Sequence, residues 1–283
     1  MEDPIDRRKR AVAAASQVAK RLGVDAGSAR VLKDSNNTIV HLAPAPLVAK
    51  VGTSTLRGDA LATLDRELRI GRHLASRQAP IAPPADDVSP GPHLHDGAVI
   101  TLWRYVELNP AIEASDHDLG EMLNAFHRAF ADYPEALPDF TENLDRARAA
   151  LDNTEATPAL SSRDRTFLVQ VGANLDEALR TVEFARHPLH GDPHLDGNIV
   201  LTNDGPLLVD FEGACSGPFE WDLTSLEQAS VTYPSRDRQL LGVLSRLRSL
   251  VVSTWCWMQY GRAPEVDEAA HVHLSFLRAK PSG

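Results

Sequence analysis

One stretch constrains this chain more than any other. His190-Gly191-Asp192-Pro193-His194-Leu195-Asp196-Gly197-Asn198 leads into the apolar run Ile199-Val200-Leu201. The turn sequence Asn203-Asp204-Gly205-Pro206 separates that run from a second, Leu207-Leu208-Val209, which ends in Asp210-Phe211-Glu212. Two short apolar runs around a turn signal read as consecutive strands. Asn198 therefore opens one strand. Asp210 closes the next, at the carboxyl end where a strand delivers a side chain to a cleft.

An aspartate in a loop, an asparagine opening a strand and an aspartate closing the next strand is the set that phosphoryl transfer needs. One Asp accepts the proton of an attacking hydroxyl, while the Asn and the second Asp hold the magnesium that carries nucleotide phosphates. Magnesium prefers hard oxygen ligands, often one or two from the protein. On this reading Asp192 is the catalytic residue, and Asn198 and Asp210 are the metal ligands. Glu212 is a candidate for metal, for substrate or for simple solvation. The histidines offer a weak rival, since His187 and His190 flank Pro188 and no second pair matches them as zinc ligands. His190 reads as a loop brace.

The rest of the chain fits a two-lobed domain. At 283 residues it is long enough to bury a real core. Residues 3–22 read as a helix, with Val12, Ala15, Val18, Ala19 and Leu22 at helical spacing. Strands are expected at 29–32, 38–42 and 46–51, a helix at 58–77, a Pro-rich loop at 79–93 and a strand at 98–103. Helices are expected at 115–131, 141–152, 162–184, 235–260 and 266–279. A strand-rich first third thus precedes a helix-rich remainder. The expectation is residues 1–104 as a nucleotide-binding lobe carrying an extra N-terminal helix, and 105–283 as a helical lobe with the catalytic loop and acceptor site.

A phosphate clamp needs a positive charge. Lys50 ends the apolar run Leu47-Val48-Ala49, and Glu67 lies on the helix that follows. A strand Lys paired with a helix Glu fixes the ammonium on the α- and β-phosphates. Asp65, on another face of that helix, is the alternative partner. The loop between the first two strands, with Ser35, Asn36 and Asn37, is where phosphates would be covered. It has no glycine, but Asn tolerates left-handed backbone better than most residues.

Bulk properties exclude other classes. The formal net charge of −10 argues against nucleic acid, which needs a basic footprint, and suits a cationic small molecule. No run of about 18 apolar residues is present, so no membrane span is expected. Ala-rich sequence after Arg7-Arg8-Lys9-Arg10 is broken by Gln17 and Lys20, which reads as a solvated helix start rather than a secretory signal. Two cysteines, Cys215 and Cys256, give no disulfide framework, which fits a cytoplasmic protein.

These residues resemble the aminoglycoside phosphotransferase family, small-molecule kinases of the protein-kinase-like fold. The match runs through His190-Gly191-Asp192, Asn198 and Val209-Asp210-Phe211-Glu212, and continues through Gly217-Pro218-Phe219-Glu220-Trp221-Asp222-Leu223. It also takes in the helix 119–127 ending in His127, with Lys50 and Glu67, and covers roughly residues 28–260. The resemblance implies an α+β, bilobal fold and transfer of the γ-phosphoryl group of ATP or GTP, with Mg2+, to an alcohol. Asp222 buttresses the catalytic loop on this analogy. Leu102-Trp103-Arg104-Tyr105 falls where the nucleotide base would bind, with Trp103 and Tyr105 as contacts. Acceptor contacts are sought in the Asp116–Asp118 region and at Asp196, Glu212, Glu220, Trp255 and Trp257. An aminoglycoside-like antibiotic or amino sugar leads as acceptor, with choline, homoserine and sugars as alternatives. A nucleotide-binding pseudokinase and a metal-dependent hydrolase using the Asp and His residues are the other classes, and the assembly is expected to be a monomer or homodimer. Two departures from the family stand out. Five residues rather than four separate Asp192 from Asn198, and the phosphate loop lacks glycine.

Overall fold

The computed structural model describes residues 4–35, 37–52, 59–195, 197–233 and 237–279. In chain order the elements are α1 (Pro4–Arg21), β1 (Arg30–Asp34), β2 (Asn37–His41), β3 (Leu47–Gly52), α2 (Ala60–Ser76), β4 (His93–His95), β5 (Ala98–Arg104), α3 (Asp116–Phe130) and α4 (Glu142–Asp152). Then come α5 (Ser162–Arg180), β6 (His187–Leu189), β7 (Ile199–Thr202), β8 (Gly205–Leu208), β9 (Cys215–Gly217), α6 (Phe219–Leu223), α7 (Arg238–Met258) and α8 (Pro264–Arg278). The chain divides into two compact units, Met1–Pro134 with His194–Ala214, and Glu135–Pro193 with Cys215–Gly283.

The first unit is built on an antiparallel sheet of order β1-β2-β3-β5-β4. Helix α1 covers one face. Its Ala11, Ala14, Ala15, Val18 and Ala19 share a core with Val40, Leu42, Ala49, Val51, Ile100 and Leu102. Side chains alternate across a strand, so Lys50, between Ala49 and Val51, points away from that core. There it meets Glu67 of α2, a helix capped by Asp59, whose carboxylate accepts the Leu61 N–H at 2.9 Å.

The β7–β8 hairpin belongs to this unit and runs from Ile199↔Leu208 to Thr202↔Gly205. Its turn is tighter than the four residues 203–206 expected, because Gly205 and Pro206 sit inside β8. Proline donates nothing to a ladder, and a two-stranded ribbon tolerates it there. The Val209 N–H donates to the Asn198 carbonyl at 3.0 Å, extending the pairing one step. The hairpin thereby sets Asn198 level with Val209, next to Asp210.

The second unit packs α4 to α8 around Phe140, Leu144, Leu168, Trp221, Leu244, Leu247 and Leu250. Ser161 and Asp237 cap α5 and α7 with side-chain oxygens. Strands β6 and β9 pair from His187↔Gly217 to Leu189↔Cys215. These three-residue strands, and the five-residue α6, carry too short a pattern to be read from sequence. Helix α5 stops at Arg180 rather than 184, where the Thr181 N–H closes the last turn on Ala178. Both cysteines are buried and unbridged. Among the described residues, no helix is long and apolar enough to cross a membrane.

Candidate active site

The sequence-derived candidates divide between the two units, and each group is held differently. In the first unit Lys50 collects carboxylates. Its Nζ donates to both oxygens of Glu67 at 2.8 Å and to Asp210 Oδ1 at 2.9 Å, with Glu212 Oε1 2.7 Å away. Lys50 and Glu67 are almost fully buried. Burial alone would discharge Lys50, but Asp210, Glu67 and Glu212 overcome it and push its pKa well above the usual lysine value. For Glu67, burial dominates. With the crowding of Asp210 and Glu212, it outweighs the Lys50 ammonium and raises the carboxyl to about 7. Asp65, the alternative partner, pairs instead with Arg69 at 3.1 Å.

The segment after β8 is fixed from several sides. Asp210 adopts φ 67°, ψ 73°, a left-handed conformation uncommon outside glycine but best tolerated by Asn and Asp. The Phe211 N–H donates to Glu67 Oε1 at 3.0 Å, and the Phe211 ring is buried beside Trp103 and Phe126. Glu212 accepts from the Asn37 side-chain amide, while its backbone carbonyl takes Arg66 Nη2 at 3.1 Å. Glu212 therefore sits in the Lys50 cluster. Asn198 is buried, its N–H donating to the His194 carbonyl at 3.0 Å. The Asn198 loop closes on that same carbonyl from Gly197 and Ile199. Any side chain at Gly197 would collide with the His194 ring, 2.4 Å from the position of a Cβ. The neighbouring Asp196 lies outside the described residues.

The loop between β1 and β2 is closed by the Ser35 N–H donating to the Asn37 carbonyl at 3.1 Å. Asn36 lies outside the described residues. At the start of the loop Asp34 is anchored to α1. Arg7 Nη2 and Arg8 Nε each donate to Asp34 Oδ2 at 2.8 Å, and Thr38 Oγ1 donates to Oδ1 at 2.9 Å. Burial opposes the charge, yet these partners hold the Asp34 carboxyl below its usual range. At the end of β5, the buried Trp103 donates its Nε1–H to Thr101 Oγ1 at 3.0 Å. The Tyr105 ring lies flat on His41, centroids 3.9 Å apart, and its N–H donates to the Pro46 carbonyl at 2.9 Å. Asp118 closes a capping box with Ser115 at the start of α3.

In the second unit the Asp192 loop is held through its backbone. Asp222, fully buried, accepts the His190 N–H at 2.9 Å and the Gly191 N–H at 2.8 Å. Gly191 has φ 88°, which a glycine adopts without strain. The buried His190 ring takes the Asp192 N–H on Nδ1 at 3.3 Å. The Asp192 carboxylate faces Arg248 of α7, Oδ1 to Nη1 3.3 Å. Nothing in the motif pointed to Arg248. The available signal was no more than an arginine midway along a helix with an apolar stripe, a signal that Arg246 shares. Glu220 accepts the Asp237 N–H at 2.9 Å, at the start of α7. Trp257 is buried and stacks on Tyr260 at 4.7 Å, whereas Trp255 is exposed.

Chemically, the first unit offers three carboxylates, Glu67, Asp210 and Glu212, whose oxygens lie within 4.8 Å of one another around one ammonium. Negative charge remains in excess and the donors are hard oxygens, a set that fits a divalent cation such as magnesium. The second unit offers one loop carboxylate on a fixed backbone.

Residues 15–257 match the APH phosphotransferase enzyme family, and the chain belongs to it. It is thus a kinase-like phosphotransferase acting on hydroxyl groups, with a mixed α+β fold of the bilobal kinase-like type. Solved structures share that fold at low identity. The GDP and kanamycin complex of APH(2")-IIia superposes with TM-score 0.69 at 15% identity, covering 94% of this chain and 97% of that one. The choline kinase LicA from Streptococcus pneumoniae gives 0.68 at 13%, covering 94% and 97%. The amicoumacin kinase hAmiN, in complex with AMP-PNP, Ca2+ and Ami, gives 0.65 at 14%, covering 89% and 88%. No curated protein matches the sequence.

Proposed function

We propose that this protein transfers the γ-phosphoryl group of ATP or GTP to a hydroxyl of a small, cationic molecule. The observation that carries the reading is the Lys50 ammonium held by Glu67 and Asp210 at 2.8 and 2.9 Å. That arrangement presents a fixed cation beside a carboxylate suited to metal. In this reading Glu67 orients Lys50, and Lys50 binds the α- and β-phosphates. Ser35, Asn36 and Asn37 line the phosphate loop, and the base lies against the Trp103–Tyr105 segment. Asn198 and Asp210 hold magnesium, which when bound neutralises phosphate charge. Asp192 orients the acceptor hydroxyl and takes its proton as the oxygen–phosphorus bond forms and the nucleoside diphosphate leaves. Most of the acceleration comes from positioning and electrostatics.

The leading acceptor class is an aminoglycoside-like antibiotic or amino sugar, which would make the protein a resistance enzyme working in the cytoplasm. The net charge of −10 supports a cationic acceptor. Choline is the second reading, because a choline kinase shares the fold at the same level. Asp196, Glu220, Trp255 and Trp257 are the candidate acceptor contacts.

The test is mass spectrometry of a hydroxylated panel with Mg-ATP or Mg-GTP, holding aminoglycosides, other antibiotics, amino sugars, choline and homoserine. A phosphate-mass gain on one class is the expected result. Asp192→Asn should lower the rate by on the order of 10²–10⁴-fold and leave nucleotide affinity unchanged. Nucleotide binding without transfer to any acceptor would favour a pseudokinase instead.

A further inference from the structure

Arg248 projects from α7 into the turn that carries Asp192, and its guanidinium is committed at every nitrogen. Nη1 lies 3.3 Å from Asp192 Oδ1. Nη2 donates to the Gly191 carbonyl at 2.9 Å and to the Trp221 carbonyl at 3.0 Å. Nε donates to Thr224 Oγ1 at 3.1 Å. The guanidinium carbon stands 3.8 Å over the ring of the fully buried Trp221. A planar fork bonded at both edges and stacked on an immobile ring has little rotational freedom. Ser225 Oγ approaches the same Asp192 oxygen at 3.5 Å, so both groups address the carboxylate through Oδ1.

We infer that Arg248 is a positioning residue for the phosphoryl-transfer reaction, orienting the Asp192 carboxylate through Oδ1. The inference rests on the reading of Asp192 given above. The backbone bonds from Asp222 fix where the loop runs, but they leave the Asp192 side chain its own rotations. Arg248 restrains those rotations, and it ties them to the Gly191 carbonyl one residue earlier. Loop and carboxylate are thereby set by one rigid group. Lysine at this position supplies a point charge that reaches one partner at a time.

Turnover is read as nucleoside diphosphate release with the acceptor phosphorylated in the panel, and nucleotide Kd is measured separately. Arg248→Met should lower kcat by on the order of 10–100-fold, the scale of a misplaced reacting group. Nucleotide Kd should stay unchanged. Arg248→Lys should recover part of the lost kcat, and it serves as the test if the Met variant does not fold. In an Asp192→Asn background the same Arg248 substitution should cost no further turnover, because its target is gone. Losses that multiply in the double variant would overturn the inference, as would full kcat in both Arg248 variants. If Asp192→Asn turns over like the wild-type protein, or the wild-type protein turns over no acceptor, the reading of Asp192 fails and the inference falls with it. An inactive Asp192→Asn beside fully active Arg248 variants would sink the inference alone.

Discussion

The Lys50 cluster and the Asp192 loop solve opposite problems. Around Lys50, side chains hold side chains, with one ammonium among three carboxylates and two of its partners buried with it. Such a cluster is not balanced by itself. Its excess of negative charge suits a site that will receive more cation. Around Asp192, side chains hold backbone. Asp222 accepts two of the loop's N–H groups and Arg248 donates to the Gly191 carbonyl, so the loop's backbone is braced from two side chains. One region gathers carboxylates around a single cation and the other braces the backbone of a loop.

Removing the centre of the charged region should have the largest effect. Lys50→Met leaves three carboxylates facing one another without their cation. Turnover should fall on the order of 10²–10³-fold, as for loss of a charge-stabilising group, and nucleotide affinity should fall with it. Titration of nucleotide binding beside the kinetic assay checks this. Intact affinity would mean that the cluster serves something other than phosphate.

Asp222→Asn probes the other region. Asparagine can still accept one N–H, but its amide meets the second donor head-on. Loss of about 1–3 kcal/mol is expected, read by urea unfolding. Turnover should drop while nucleotide affinity holds. A drop in affinity of the Lys50→Met kind would erase the distinction between the two regions.

The smallest effect tests the anchor of the loop between β1 and β2. Because the Asp34 carboxyl is held below its usual range by Arg7, Arg8 and Thr38, its contribution is present above the unfolded-state value and fades as pH falls through the lowered one. Asp34→Asn should lose about 1 kcal/mol at pH 7. The gap between the two proteins should begin to narrow below about pH 4, the unfolded-state value, and close only as pH falls through the lowered folded one. Unfolding curves at both pH values decide it, and an equal gap at acid pH would remove the ion pairs from the account.

The sequence by itself determined the family motif, the elements that carry it and the hairpin joining Asn198 to Asp210. These are local matters, since a strand's two-residue period and a turn's composition are written in neighbouring residues. The alternation that turns Lys50 away from Ala49 and Val51 was legible for the same reason. Only the tertiary structure decided that Glu212 joins Lys50 and Asn37, since Asn37 and Glu212 are 175 positions apart. It alone set Arg248 against Asp192 and Arg7 with Arg8 against Asp34. It also decided that the Trp103 ring packs in the core. An arginine on a helix looks the same in sequence whether it meets water or a carboxylate. The choice is made by which distant segment the packed core brings to it, and by the penalty for leaving a buried charge without a partner.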